Sequence, residues 1–261
     1  MERSLWTAAA GMAAQQTNMD VVANNLANVN TTGFKKSRAE FQDLLYQTIN
    51  APGTASSGST NLPTGIQVGL GTRTAAIKRI FEQGTFKPTD NPLDLVIEGE
   101  GFLKFTRPDG TSAFSRDGSL AVDENGNVVN SLGYQLDPPL TIPQDAKGIT
   151  VGRDGTVSVR LSDETVSQIG NIELANFINP AGLQSIGNNL FVYTVASGDP
   201  LLGTPGQDGL GELSQGFLET SNVNIVSELV DMISAQRAYE LNSRSIRAAD
   251  EMLKQLAQLV R

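Results

Sequence analysis

The 261-residue sequence contains no cysteine and no histidine. Without thiols there is no disulfide framework and no thiolate nucleophile or metal ligand. Without imidazole, a Ser-His-Asp relay and histidine-ligated zinc are excluded as well. No apolar run reaches the length of about 18 residues that a membrane-spanning helix needs, so membrane insertion is not expected. The opening residues, MERSLWTAAAGMAAQQ, set one arginine against a glutamate and lack a continuous apolar segment, so no cleavable secretory signal is expected. Basic residues are also scarce, with 19 Lys and Arg against 28 Asp and Glu, a net charge of −9. That deficit is uneven. Residues 1–38 carry four basic and two acidic groups, residues 219–261 carry five and six, and the stretch between holds 10 basic against 20 acidic. An acidic middle opposes a phosphate backbone, so nucleic acid is not an expected partner. Near-neutral ends suit surfaces that pack against copies of themselves.

Those ends carry the strongest pattern. From Ser221 onward, Ile225, Met232, Tyr239, Ile246, Leu253 and Val260 recur at every seventh position, with Ala235, Asn242, Ala249 and Leu256 three residues after members of the first set. This is an a/d heptad, and no Gly or Pro interrupts it. At about 1.5 Å per residue such a helix extends on the order of 60 Å, more than one compact domain buries. At the other end Leu5, Met12, Met19 and Leu26 are spaced by the same seven, with Ala8, Gln15, Val22 and Val29 following. This helix is predicted over about residues 3–28 and stops at Asn30-Thr31-Thr32-Gly33. Because the a and d positions mix small and polar residues with apolar ones, bundling between chains is expected over a private hairpin. The predicted assembly seam is Leu5, Met12, Met19, Val22, Leu26, Ile225, Met232, Tyr239, Ile246, Leu253, Leu256 and Val260. Asn24, Asn25, Asn28 and Asn242 are either polar keys that fix register, as an a-position Asn does in coiled coils, or, for the first three, a helix end that favours asparagine. Spacing leaves both open.

The fold class expected is α+β: long N- and C-terminal heptad helices forming a coiled coil, with a central all-β body. The predicted layout is a helical domain over 1–34 and 221–261, connecting extended or β segments over 35–84 and 205–220, and a β domain over 85–204. Residues 39–49 are amphipathic, 51–64 are a Gly/Ser/Thr/Pro-rich loop, and 66–70 and 73–80 read as strands. In the middle, strands at 93–97 and 101–105 are followed by Asp109-Gly110, Asp117-Gly118, Asn125-Gly126 and Asp154-Gly155, each between short apolar runs, the pattern of hairpin turns.

Candidate chemistry is thin. Asp123, Asn125 and Asn127 imitate the first ligands of a calcium loop, but Val128 stands where that loop needs Gly and Tyr134 where it needs Glu. Asp90, Asp94, Glu98 and Glu100 cluster without a feature that separates an acid from a base, and they suit solvated strand ends. Neither phosphate-loop pattern, GxGxxG or GxxxxGK followed by Ser or Thr, occurs. Asn30-Thr31-Thr32 is a glycosylation sequon at a helix stop. No catalytic residue, metal or cofactor is expected, and an enzyme, such as a wall hydrolase, is disfavoured.

SLWTAAAGMAAQQTNMDVVANNLANVNTTGFK (residues 4–35) resembles the N-terminal signature of the flagellar rod and hook proteins of bacteria, and SNVNIVSELVDMISAQRAYELNSRSI (221–246) resembles their C-terminal signature. FQDLLYQTINAPG, LPTGIQVGLGTR, DNPLDLVIEGEGF and INPAGL are most similar to the distal-rod branch, with proximal rod or hook subunits as the alternative. The resemblance implies a structural subunit that stacks helically into a rigid hollow shaft across the periplasm, its terminal helices lining the tube and its β body outside. It implies export by the flagellar type III apparatus. The partners it implies are further copies of the chain, proximal rod and hook subunits, and the surrounding ring proteins. Segment 41–73, which includes the rod-type 46–63 stretch, is expected to wedge between neighbours and stiffen the shaft.

Overall fold

A computed structural model describes residues 2–52, 55–57, 60–61 and 64–259. The chain forms two compact units, one of Met1–Leu26, Ser37–Lys78 and Asn224–Arg261, the other of Ala27–Lys36 and Arg79–Val223. The architecture is α+β: a helix near each end and a central β body.

The first unit holds α1 (Glu2–Ala27) and α2 (Ile225–Leu259). α2 begins at Ile225, the first of the heptad residues, because Asn224 caps it. The Asn224 Oδ1 accepts from the amides of Val226 and Ser227 at 3.0 and 3.3 Å, satisfying donors that a helix start leaves unpaired. The amphipathic run after Lys36 forms two strands, Ser37–Asp43 and Tyr46–Asn50, which pair with Thr72–Arg79 and Ile66–Gly69. Within the Gly/Ser-rich segment, Ala55–Ser57 and Thr60–Asn61 make a small antiparallel pair. Positions 53–54, 58–59 and 62–63 lie outside the described residues.

The second unit is the β body. Its largest sheet has nine strands, centred on Phe102–Thr106 and Ser112–Ser115, with Leu174–Asn176 and Leu190–Val192 beside them. Neighbouring residues in these strands serve opposite faces. Leu103, Phe105, Ala113, Leu174 and Leu190 enter one buried cluster, while Phe102, Phe114, Ala175 and Phe191 enter another on the far side. In the second cluster the rings of Phe114 and Phe177 meet edge to face at 4.9 Å. The sheet is thus buried on both faces, which explains why its strands read as apolar runs rather than strict alternation. A three-stranded meander, Ala146–Val151, Thr156–Leu161 and Val166–Asn171, packs Val157 and Ile149 onto the first cluster.

Asp109-Gly110, Asn125-Gly126 and Asp154-Gly155 join antiparallel partners as hairpins. Asp117-Gly118 does not. The strand before it pairs with Phe102–Thr106 and the strand after it, Leu120–Val122, pairs with Val128–Asn130. The turn instead receives the 94–95 segment: the Leu95 amide donates to the Gly118 carbonyl at 3.0 Å. That partner is distant in sequence, so local turn chemistry does not reveal it.

Candidate assembly surface

α1 and α2 touch within one chain. A Cβ added to Gly11 would fall 2.9 Å from the Asn242 Nδ2, and the Asn25 Nδ2 donates to the Glu228 Oε2 at 3.0 Å. The same fourteen-residue interval separates these contacts on both helices, in opposite chain directions, so the helices run antiparallel. Small residues line this face. Ala8 and Ala14, one turn either side of Gly11, are buried, as are Ala235 and Ala249, about two turns either side of Asn242. Close approach of two backbones requires such residues.

Asn25 is fully used. Its Oδ1 accepts from the Ser37 amide at 2.9 Å and its Nδ2 donates to the Ser37 carbonyl at 2.8 Å, so it pairs with that backbone as a strand would, and also bonds Glu228 in the first turn of α2. On another side of α1, the backbone at Gly71 (φ +115°) comes close enough that an added Cβ would lie 3.2 Å from the Ala10 Cβ. A side chain there would meet both backbone strain and α1.

The large heptad residues sit at the margins of the pairing face. Val22 is buried, Leu5, Met12, Met19, Leu26, Met232 and Ile246 are half-buried, and Ile225, Tyr239 and Leu253 are exposed. The Leu256 side chain and Val260 lie outside the described residues. Of the asparagines, Asn25 is buried, Asn242 packs on Gly11, Asn24 is on the surface, and Asn28 accepts from the Thr31 hydroxyl in the turn after α1.

A second apolar face was not singled out by the heptads. Val226, Leu229, Val230 and Ile233 are 71%, 43%, 56% and 57% exposed. Their spacing, i, i+3, i+4 and i+7, makes one stripe. At about 100° per residue it lies on roughly the opposite side of α2 from Glu228, Ala235 and Asn242. α2 is therefore apolar on its outward side as well as on its paired side. Trp6 on α1, with Leu45, Tyr46, Ile49 and Ile66 on the strand segment, adds further exposed apolar area within the same unit. The signal was present in the sequence, but a seven-residue count selects one seam and passes over a shorter stripe on the other side.

The chemistry-like motifs resolve into turn structure. The Asp123 carboxylate accepts from the amides of Asn125 and Asn127, both at 2.8 Å, and those bonds hold its carboxyl below the usual range, the Asn127 amide contributing most. In the acidic cluster, Asp94 bonds the Asn91 amide and Glu98 the Ser214 hydroxyl. Among the described residues no group of acidic side chains is arranged to hold a metal ion, and no helix is long and apolar enough to cross a membrane.

Comparison with known proteins bears on this surface. Residues 5–35 match the family described as "Flagella basal body rod protein", residues 96–159 the "Flagellar hook protein FlgE/F/G D1 domain", and residues 214–259 the "Flagellar basal body rod FlgEFG protein C-terminal". The chain is similar to the flagellar basal-body rod protein FlgG of Borreliella burgdorferi, 53% identical over 97% of each chain. It is also similar to those of Buchnera aphidicola from Schizaphis graminum (49%) and Caulobacter vibrioides (50%), each over 98% of this chain and 99% of the relative. The terminal matches contain α1 from Leu5 onward and all of α2, with its outward stripe.

Proposed function

This chain belongs to the bacterial flagellar rod and hook family, and we propose that the outward stripe of α2 is the surface through which its helical ends polymerise. The chain is a structural subunit of the distal rod of the flagellar basal body, not an enzyme. Helical stacking of such subunits builds the shaft that carries torque from motor to hook. In the reading we propose, α1 and α2 of each copy form an antiparallel pair, and pairs from neighbouring copies pack side by side along a helical path to line a coiled-coil tube. Leu5, Met12, Met19, Leu26, Ile225, Met232, Tyr239, Ile246 and Leu253 fill the margins between pairs. Val226, Leu229, Val230 and Ile233 seat on a neighbour. A contact that joins different patches on successive copies propagates without closing, which is what a filament requires. Proximal rod subunits, hook subunits, the surrounding rings and the type III export apparatus are the partners this reading adds.

The observation that carries it is the stripe itself. One face of α2 is already paired within the chain, yet the opposite face presents four contiguous apolar side chains to solvent, and such a surface marks an interaction site. The test is Val230→Asp. On the isolated chain the site is exposed, so the thermal unfolding of the variant stays within about 0.5 kcal/mol of the parent. In a cell lacking the native subunit, Val230→Asp yields no completed rods, because assembly would bury an unpaired carboxylate. Normal rods containing the variant would remove the stripe from the interface.

A further inference from the structure

The β body contains three buried charges that the assembly surface does not use. Lys35, Glu219 and Arg116 have side chains only 0%, 1% and 4% exposed. The Lys35 Nζ donates to the Glu219 Oε1 at 2.6 Å and the Arg116 Nε donates to the Glu219 Oε2 at 3.2 Å, so one carboxylate serves two cations. Other donors at the site are given to backbone carbonyls. Lys35 reaches the Glu82 carbonyl at 2.6 Å, and Arg116 reaches those of Gly101 and Gly99 at 2.7 and 2.8 Å. The Gly84 amide donates to the Glu219 Oε1 at 2.8 Å. Burial pushes the Lys35 ammonium below its ordinary pKa, Glu219 pulls it back up, and Arg116 lowers it again.

Position gives the cluster its meaning. Lys35 lies on the stretch by which the chain first enters the body, and Glu219 on the strand by which it last leaves. Backbone bonds join the same two stretches: the Gly33 amide donates to the Glu219 carbonyl at 2.8 Å, and the Lys36 amide to the Asn222 Oδ1 at 2.7 Å. Asn222 in turn donates to the carbonyls of Ile80 and Glu82. Gly33 is fixed there as glycine, since its φ is +68° and an added Cβ would lie 2.8 Å from the Asp117 amide nitrogen. Three buried charges are a costly way to hold a fold, because apolar residues of similar volume serve stability as well or better.

We propose that Lys35, Glu219 and Arg116 form a clasp that ties the incoming and outgoing chain of the β body together, so that force applied through either terminal segment is met at one buried point. These are positioning residues, and the role as a torque joint rests on the rod reading above. The mechanical claim does not, and it is tested on the single chain. Because the sequence has no cysteine, handles are attached at Arg38→Cys and Val226→Cys, which load the two stretches flanking the clasp. In the parent chain these stretches part in one rupture event. In the triple variant Lys35→Met, Arg116→Met, Glu219→Leu, rupture occurs at lower force while the thermal midpoint of the body stays within about 5 °C of the parent. Equal rupture force in parent and triple variant overturns the proposal. If the triple variant does not fold, amide exchange on the parent chain decides. Gly33, Gly84 and Thr220 amides exchanging as slowly as those of Phe105 and Phe114 support a rigid clasp, and exchange as fast as the exposed turns overturns it. Absence of the parent chain from purified basal bodies would remove the rod reading and leave the rupture result intact.

Discussion

The amide of Asn25 has both ends committed, to the Ser37 backbone and to Glu228, so its removal is costly out of proportion to its size. Asn25→Ala leaves a backbone donor, a backbone acceptor and a carboxylate oxygen without a partner inside the helical unit. A loss of about 1–3 kcal/mol is expected, read by urea unfolding followed through the helical circular dichroism signal. Asn24, Asn25, Asn28 and Asn30 are equivalent to a reader of spacing, and only the fold shows which of them turns inward beside Ser37. Asp117 makes a different residue-scale case. Burial, reinforced by the negative charge of Asp94, raises its carboxyl above the ordinary value, while bonds from Ser119 and Asn189 oppose that rise. An acid whose pKa is raised by folding binds more protons folded than unfolded, so it lowers stability as pH climbs from the unfolded value through the folded one. Asp117→Asn keeps an acceptor for the Ser119 amide and hydroxyl but has no proton to lose. The thermal midpoint of this variant relative to the parent should therefore rise between about pH 3 and pH 7, and a constant difference would show that Asp117 does not titrate in that window.

Among the elements, the helices and the strand segment between them share the exposed apolar surface. α2 was legible as a helix from its heptads, and its two-sided character explains why one sequence pattern did not exhaust it. The paired side uses small residues at d positions, Ala235 and Ala249, which a search for large apolar side chains ranks last. The strands Tyr46–Asn50 and Ile66–Gly69 are paired with each other but expose Tyr46, Ile49 and Ile66. A two-stranded ribbon with apolar residues in solvent has little stability of its own, and packing against another surface supplies what it lacks. We propose that this ribbon is the wedge that stiffens the shaft. Removing residues 46–63 should leave α1, α2 and the β body folded while polymers of the shortened chain bend. Electron micrographs that show straight rods from the shortened chain would contradict it.

At the scale of the whole molecule, two units with opposite habits share one chain. The β body buries Leu103, Phe105, Phe114 and Leu174 completely and is finished by itself. The helical unit buries mainly alanine, valine and Asn25, and leaves Trp6, Val226 and Leu241 in solvent. The broad plan was readable from the sequence because heptads and turn dipeptides are local signals. The antiparallel pairing of the two ends and the insertion of the 94–95 segment at Gly118 were not, because the first joins residues 203 apart and the second joins residues beyond the reach of a local turn signal. We propose that the helical ends are completed only by neighbouring copies. Residue-resolved amide exchange, measured on the dispersed chain and again on assembled rods, tests it most directly. Amides of residues 225–241 are expected to exchange far faster than those of Phe102–Thr106 in the dispersed chain and to become comparably slow in the rod. Equal protection of both segments in the dispersed chain, unchanged on assembly, would contradict it.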